Sequence, residues 1–390
     1  MKSANDTTGR LSSQPRGDDR SAGISTSSIR EKPTTRPLTR RSLLVGAAAA
    51  SVALPSLGRS RSAYAADGRV PFGAAIQTEL MNGDPSYREL FLKNCDLVMP
   101  MNALKFSLLR PTRDIWDFAP ADKVVDFALG NGKTTRGTCH VWWGATPDWV
   151  KAIESPSEAE KVLVEHIERV GDRYKGKLRG WDVANEVVAN DPLYENRSLR
   201  DTYWLRVLGP RHIPIAFKAA ANADPAADLV LNDYDLEYQG PHYDERRTIV
   251  LSIVRQLQDA NVKIDAVGLQ GHLYADKVID VDAIDRFHRD LDALGVKLIV
   301  TELDIIDWKS PAGAQSQDKT AAELVTRFLD AVFAFKAPEL VVSWGLTDRY
   351  SWVNDVMPRP DGAESRPLPF DRALLPKPWF ETLRKRLAEA

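Results

Sequence analysis

Residues 298–305 read Leu-Ile-Val-Thr-Glu-Leu-Asp-Ile, an apolar run that carries two carboxylates toward its end. A short continuous run of β-branched residues and leucine is typical of a strand that is buried on both faces. An ionisable side chain in such a strand is costly unless it is paired or used, so Glu302 is a candidate functional residue. The same kind of pattern predicts eight strands, at residues 70–76, 97–102, 134–141, 179–185, 228–233, 266–272, 297–304 and 341–347.

Segments with helical periodicity separate these strands. Apolar side chains recur at helical spacing in residues 157–174, 214–222, 248–260 and 321–335. Eight strands that alternate with helices predict a parallel sheet closed into a (β/α)8 TIM barrel, an α/β fold, and we assign residues 66–390 to it as a single domain. The alternative, an open doubly wound sheet, usually shows a glycine-rich phosphate turn after an early strand, and the sequence has none.

The N-terminal region predicts export rather than part of the barrel. Residues 1–38 are polar, lack apolar periodicity and are interpreted as a disordered extension. Residues 39–65 contain the pair Arg40 and Arg41, an apolar run and a small-residue cleavage site that ends at Ala65, which together resemble a twin-arginine-type signal peptide. A membrane anchor is the alternative, but the run is short for a span and is interrupted by proline and glycine. We therefore expect a periplasmic or secreted protein with no membrane association after the signal is removed.

The amino-acid composition argues against a nucleic-acid-binding protein and against a metalloenzyme. The 390 residues carry 52 basic and 54 acidic side chains, and this balance argues against a nucleic-acid partner. The six histidines are scattered and form no His-x-His or HExxH pattern, so we expect neither a metal nor another cofactor. Cys95 and Cys139 either pair after export or remain two separate buried thiols. The mature chain is expected to act as a monomer.

Two carboxylates mark the candidate active site. Glu186 and Glu302 end the fourth and seventh predicted strands, and barrels of this kind place their active sites at the carboxyl ends of the strands. Two carboxyl groups that flank a sugar ring perform glycoside hydrolysis. A single glutamate at a strand end is more often a solvated or ion-paired residue. The prediction therefore rests on the fact that Glu186 and Glu302 both end strands of the same predicted barrel. Other candidate residues at strand ends are Lys105, Trp142, Trp143, Asn185, Tyr234, Gln270, His272, Asp304 and Trp344.

The ten tryptophans favour a carbohydrate site, because the flat face of a pyranose stacks on aromatic rings. His272 and Gln270 are two residues apart on a predicted strand, so both side chains are expected to face the barrel interior. The tryptophans near strand ends are Trp142, Trp143, Trp149, Trp344 and Trp352, whereas simple packing between helices and barrel is assigned to Trp181, Trp204 and Trp379.

Motifs along the chain together resemble glycoside hydrolase family 10, the endo-β-1,4-xylanases. The resemblance runs from about residue 69 to about residue 385 and rests on residues 181–186, 199–201, 216–217, 223–225, 232–234, 267–272, 301–304, 344–345, 348, 351–352 and 376–378. It implies the same barrel and a retaining hydrolase that cleaves internal β-1,4-xylosidic bonds of a xylan-type polysaccharide by double displacement.

The resemblance also implies roles for individual residues. Glu186 is implied as the acid/base and Glu302 as the nucleophile, and Asn185 as the partner of the sugar 2-hydroxyl at the cleavage point. The implied supporting residues are His272, Gln270, Asp304 and Tyr234, and the implied substrate-binding residues are Asn102, Lys105, Trp142, Trp143, Trp344 and Trp352.

Two motifs depart from the family pattern on the glycone side. Where the family usually has Glu-Asn-x-Met-Lys-Trp, the chain has Met-Asn-Ala-Leu-Lys-Phe, so Met101 replaces a sugar-binding glutamate. In the third-strand motif, Thr138, Trp143 and Ala145 replace His, His and Gln, and Trp143 offers a stacking face in exchange for polar contacts. Two alternatives therefore stay open. One is the same chemistry on a different or decorated β-glycan or β-glycoside. The other is a non-catalytic carbohydrate-binding protein, which the intact carboxylate pair argues against.

Overall fold

The structure, a computed structural model, describes residues 69–390. The interpretations of residues 1–38 and 39–65 fall outside the described residues and stay predictions. No helix within residues 69–390 is long and apolar enough to cross a membrane.

A parallel β-barrel lies at the centre of the described residues, as the alternation of strands and helices predicts. Its strand segments are β1 (Phe72–Ile76), β2 (Leu97–Pro100), β3 (Gly137–Trp142), β4 (Gly180–Asn185), β5 (Asp228–Asp233), β6 (Ala266–Leu269), β7 (His272–Tyr274), β8 (Lys297–Ile306) and β9 (Val341–Ser343). Neighbouring strands follow the order β2-β1-β9-β8-β6-β5-β4-β3, and β7 pairs with β8. The remaining gap is bridged in parallel between Leu97 on β2 and Thr134, just before β3. The (β/α)8 TIM barrel is therefore confirmed.

The sixth predicted strand is not continuous. β6 ends at Leu269, which pairs with Val300, and β7 begins at His272, which pairs with Asp304. Between these two pairs the chain advances by three residues from Leu269 to His272 but by four residues along β8, from Val300 to Asp304. The chain bends at Gly271, whose φ of +78° suits glycine. The prediction of one unbroken strand was wrong because hydrophobic periodicity does not reveal a bulge.

Helices surround the barrel. The four predicted helical segments overlap α6, α9, α10 and α12, and α10 and α12 begin seven residues earlier than predicted because their first turns are polar and carry no clear apolar stripe. The helix bounds are α1 (Thr78–Gly83), α2 (Pro85–Asn94), α3 (Phe106–Leu109), α4 (Ala119–Gly130), α5 (Asp148–Lys151), α6 (Pro156–Tyr174), α7 (Pro192–Glu195), α8 (Tyr203–Leu208), α9 (His212–Ala223), α10 (Pro241–Asp259), α11 (Val281–Ala293), α12 (Ala314–Val332), α13 (Trp352–Val356) and α14 (Pro378–Ala388).

Two apolar clusters stabilise the barrel. The larger one packs the helices on the strands and contains Trp181, Trp204 and Trp379, so their packing role is confirmed. The smaller cluster takes alternate strand residues, as expected of side chains that point into a barrel. It includes Met101 and Trp344, which follow β2 and β9, and half-buried Trp352 packs against it. The top of this inner core thus adjoins the carboxyl ends of the strands.

Candidate active site

The carboxyl ends of the barrel strands surround one small cavity of about 140 Å³. Most of the predicted site residues meet there. The cavity is lined by Lys105, Thr138, Cys139, Trp142, Asn185, Glu186, His272, Glu302, Trp344 and Trp352. A larger groove of about 740 Å³ lies on the outside of the barrel, between α9 and α10. Its lining includes neither Glu186 nor Glu302. The chemistry of the carboxylate pair places the candidate site in the smaller cavity.

Glu302 is held firmly near the middle of β8. Its side chain is almost fully buried, at 6% exposure, and its backbone N–H donates to the carbonyl of Gln270 at 2.8 Å. Its Oε1 accepts a 2.7 Å hydrogen bond from Nδ2 of Asn232, and its Oε2 lies 3.4 Å from Nε2 of His272. The short bond from Asn232, together with the nearby imidazole of His272, sets the orientation of this buried carboxylate before any ligand arrives.

His272 links Glu302 to a second carboxylate. Nδ1 of His272 lies 2.7 Å from Oδ1 of Asp304, whose Oδ2 accepts a 2.7 Å bond from Nε1 of Trp352. Burial opposes a charge on the imidazole, but Asp304 and Glu302 outweigh burial and raise the pKa of His272 well above its ordinary value. The two carboxylates therefore favour the imidazolium form of the ring, whose Nδ1 faces Asp304 and whose Nε2 faces Glu302.

Asn232, at the end of β5, connects the two halves of the site. Its buried amide nitrogen donates to Oδ1 of Asn185 at 2.8 Å as well as to Glu302, and its Oδ1 accepts from the hydroxyl of Thr301 at 2.6 Å. A Cβ at Gly268 would lie 2.1 Å from this Oδ1, so the position next to Asn232 requires glycine. In the sequence, Asn232 ends the fifth predicted strand within a family motif, but no role in the site was assigned to it.

Glu186 follows β4 in a left-handed backbone conformation, with φ of +55°. Its N–H donates to the carbonyl of Asn232 at 2.9 Å, and its carbonyl accepts from Nε of Arg200 at 3.0 Å. Non-glycine residues rarely adopt this conformation, and such strain clusters at functional sites. Its Oε2 accepts a 2.7 Å bond from Nε1 of Trp143, whereas the amide nitrogens of Asn185 and Gln270 are both 3.4 Å from Oε1.

Lys105 and two indole rings form one wall of the cavity. Nζ of Lys105 donates to Oδ1 of Asn102 at 2.8 Å and lies 4.7 Å from the ring centre of Trp142 and 5.7 Å from that of Trp344. These distances are typical of cation–π contacts. Met101, with 2% exposure, is sealed in the inner core beneath this wall and presents no polar group.

Five of the predicted residues lie outside the cavity lining: Asn102, Trp143, Tyr234, Gln270 and Asp304. Trp143 is 46% exposed and touches Glu186 from the side. The hydroxyl of Tyr234 donates to Oδ1 of Asn190 at 2.6 Å and accepts from Arg200, so Tyr234 supports the loop after β4. Asn102 is connected to the cavity through Lys105.

Trp149 differs from the sequence-based expectation, and the two cysteines follow one of the two alternatives that the sequence left open. Trp149 packs against the core and donates to the carbonyl of Arg110 at 3.1 Å, so its proximity to a predicted strand end was misleading. Cys95 and Cys139 are separate buried thiols, which decides between the two alternatives left open by the sequence. Burial raises the pKa of both thiols.

The arrangement supports acid–base and nucleophilic chemistry at one centre. Glu302 lies buried beside a cation, which suits an ionised carboxylate, whereas Glu186 adjoins the same cavity without a cationic partner for its carboxyl group. Among residues 69–390 no group of three or more histidine, cysteine or acidic side chains is arranged to hold a metal ion. The contrasting surroundings of Glu186 and Glu302 in one cavity fit the two-carboxylate chemistry of glycoside cleavage.

Comparisons with known proteins agree with the geometry. Residues 60–386 match the family model described as glycosyl hydrolase family 10. A β-1,4-xylanase of Dictyoglomus thermophilum is 34% identical over 308 residues, covering 75% of this chain and 82% of the relative. Endo-1,4-β-xylanase 1 of Humicola insolens is 31% identical over 325 residues, covering 81% and 71%.

A solved structure extends the likeness to the whole barrel. Xylanase 10B of Thermotoga petrophila RKU-1, crystallised with xylobiose, superimposes with a TM-score of 0.74 at 28% identity and covers 82% of this chain and 94% of its own. The family match covers most of the chain, and the barrel with its paired glutamates is the architecture that the sequence motifs imply. The chain belongs to glycoside hydrolase family 10.

Proposed function

We propose that this chain is a retaining endo-β-1,4-xylanase in which Glu186 is the acid/base and Glu302 the nucleophile. The observation that carries the proposal is the pair of glutamates that share one small cavity in contrasting surroundings. Relatives described as endo-1,4-β-xylanases and a structural neighbour crystallised with xylobiose support the same substrate class. The expected partner is accordingly a β-linked xylan-type chain.

The reaction proceeds in two steps. Protonated Glu186 gives its proton to the glycosidic oxygen while the bond from C1 to that oxygen breaks and the Glu302 carboxylate bonds to C1. Glu186, now a carboxylate, then removes a proton from water, whose oxygen attacks C1 and releases Glu302. His272 and Asn232 hold the Glu302 oxygens in place through both steps.

Supporting residues follow from the same geometry. Asn185 is fixed by Asn232 and Gln270 and lines the cavity, so its amide is available for a sugar hydroxyl. Trp344 and Trp352 also line the cavity and offer ring faces to a pyranose. Lys105 binds the next sugar on the glycone side.

A second candidate keeps the chemistry and changes the sugar. Met101 is sealed in the apolar core, and Thr138 contributes a short side chain to the cavity. Ala145 is buried and carries no hydrogen-bonding side chain. Each lost hydrogen bond to a charged partner is worth about 1.5–3 kcal/mol, so an unmodified xylan chain is bound less tightly on this side. This observation favours a different or decorated β-glycan or β-glycoside.

A substrate panel tests both candidates. Activity on linear xylan, decorated xylans, mixed-linkage glucan and aryl β-glycosides is measured for the wild type and for Glu302→Ala, with Glu323→Ala on the exposed face of α12 as a matched control. The proposal predicts xylanase activity that Glu302→Ala abolishes and Glu323→Ala retains. Sugar binding with no hydrolysis of any substrate would instead indicate a binding protein, and preference for another glycan would favour the second candidate.

We also propose that residues 39–65 direct export through a twin-arginine route. The pair Arg40 and Arg41, the apolar run after them and the small residues before Ala66 support this proposal. Replacing both arginines by lysine should retain the unprocessed chain inside the cell. Normal export and processing of that variant would contradict it.

A further inference from the structure

The two oxygens of the Glu186 carboxyl lie in different surroundings. Oε2 accepts a 2.7 Å bond from Nε1 of Trp143, whereas the contacts of Oε1 with Asn185 and Gln270 are both 3.4 Å long. A contact of 2.7 Å is a short, strong N–H···O bond, and one of 3.4 Å is weak. The carboxyl group is therefore anchored through Oε2, and Oε1 is the freer oxygen.

The chemistry of indole decides which oxygen carries a proton. The nitrogen of Trp143 is a donor only and cannot accept a proton from Glu186. The carbonyl oxygen of a neutral carboxyl group accepts hydrogen bonds better than its hydroxyl oxygen does. The 2.7 Å bond to Oε2 therefore favours the form of Glu186 in which Oε1 bears the proton.

Arg200 braces both partners of this bond. Its guanidinium carbon lies 5.2 Å from the ring centre of Trp143, and its Nε donates to the backbone carbonyl of Glu186 at 3.0 Å. The ring of Trp142 contacts Trp143 at 5.7 Å between centres. Arg200 thus restrains both the indole ring of Trp143 and the strained backbone of Glu186.

We propose that Trp143 is a positioning residue that anchors Glu186 through its indole N–H, so that Oε1 delivers the proton to the leaving group. This inference rests on the proposed function. In the first step the proton moves from Oε1 to the glycosidic oxygen, the bond from C1 to that oxygen breaks, and a bond from C1 to Glu302 forms. Glu186 becomes a carboxylate, and the bond from Trp143 becomes charge-assisted and stronger. Indole does not titrate near neutral pH, so the Trp143 side chain adds no ionisation of its own to the pH dependence of the reaction.

A series of leaving groups distinguishes positioning of the acid from general damage to the site. Trp143→Phe keeps an aromatic ring but removes the N–H donor, and kcat/KM is measured for aryl β-xylosides from dinitrophenyl to phenyl. A dinitrophenolate leaves without acid help, whereas a phenolate needs it. We expect little change for dinitrophenyl xyloside and a loss of about 10- to 100-fold for phenyl xyloside, within the range of general acid catalysis. An equal loss across the series, or no loss, overturns the proposal.

Two further variants keep the test decisive. Trp149→Phe removes a comparable indole bond, to the carbonyl of Arg110, away from the cavity, and its effect should not depend on the leaving group. Trp143→His restores a ring donor at the same position and should recover most of the rate on phenyl xyloside. Failure of this rescue, with thermal stability preserved, overturns the role of the N–H.

The proposed function fails separately from this inference. Activity that survives in Glu302→Ala would overturn the assignment of the nucleophile and with it the hydrolase mechanism. A flat response to the leaving group in Trp143→Phe, with Glu302→Ala inactive, would overturn only the positioning role of Trp143.

Discussion

Replacing Asn232 by alanine tests how far the site depends on one buried amide. The side chain of Asn232 donates to Glu302 and Asn185 and accepts from Thr301, at distances of 2.7, 2.8 and 2.6 Å. Alanine removes all three bonds and leaves each partner buried without this contact. The substitution should therefore weaken the fold and loosen the nucleophile together.

The expected magnitude follows from the three bonds. The bond to the Glu302 carboxylate is worth about 1.5–3 kcal/mol and each of the two neutral bonds about 0.5–1.5 kcal/mol. Their sum, roughly 2.5–6 kcal/mol of unfolding free energy, is the expected loss for Asn232→Ala. The catalytic loss comes mainly from the loosened Glu302 and in part from Asn185, so kcat should fall by about 10- to 100-fold.

Urea unfolding and steady-state kinetics on one aryl β-xyloside measure both effects. Asn94→Ala is the matched control, since Asn94 lies at the end of α2 and its amide donates one 2.8 Å bond to the carbonyl of Leu90. The control should lose about 1 kcal/mol or less of stability and keep full activity. An Asn232→Ala enzyme with unchanged kcat would refute the reasoning, because Glu302 would then be positioned without it.

Three further substitutions test the stability of two buried carboxyl groups and the binding role of Lys105. Burial raises the pKa of Glu237 to about 7 from an ordinary 4.5, so the native state holds a proton that the unfolded chain releases. Stability is therefore lost as pH rises from about 4.5 to about 7, and Glu237→Gln should gain up to about 3 kcal/mol at about pH 8 but little at about pH 4, measured by urea unfolding. Asp182→Ala removes the carboxylate that pairs with fully buried Arg136 at 2.6 Å and should cost about 3–5 kcal/mol of unfolding free energy. Lys105→Met removes the cation over the cavity wall and should raise KM for xylo-oligosaccharides about 10-fold with a smaller change in kcat.

Each of these expectations has a contrary result. A Glu237→Gln gain that is equal at both pH values would show that no titration is involved. An Asp182→Ala variant as stable as the wild type would mean that water reaches Arg136. Loss of kcat without a change in KM would contradict a binding role for Lys105.

The sequence predicted the barrel because every strand carries a local signal. Buried strands read as short β-rich runs and their helices as amphipathic stripes, so the alternation predicts a parallel sheet. The closed form was favoured over an open doubly wound sheet because the sequence has no glycine-rich phosphate turn. The positions of Glu186 and Glu302 followed from the rule that chemistry sits at the carboxyl ends of the strands. Gln270 and His272 were also placed correctly on the cavity side, although the strand that joins them is broken at Gly271.

Other features depend on three-dimensional contacts that a linear pattern does not contain. Asn232 is an ordinary strand-end amide in the sequence, and only packing brings it between Glu302 and Asn185. Trp149 lies near a strand end in the chain but turns toward the core. The bond from Trp143 to Glu186 joins residues 43 positions apart, so the departure from the family motif predicted a stacking face for Trp143 but not its role as a hydrogen-bond donor.

Identification of the residue that bonds to the sugar tests the central claim most directly. A 2-deoxy-2-fluoro-xyloside with a dinitrophenyl leaving group should accumulate the glycosyl-enzyme, because the fluorine slows an oxocarbenium-like transition state and the activated leaving group permits the first step. Peptide mapping by mass spectrometry should then find the sugar on Glu302. A label on any other residue, or turnover of ordinary substrate with inversion at C1 and no label, would contradict the double-displacement mechanism proposed for Glu186 and Glu302.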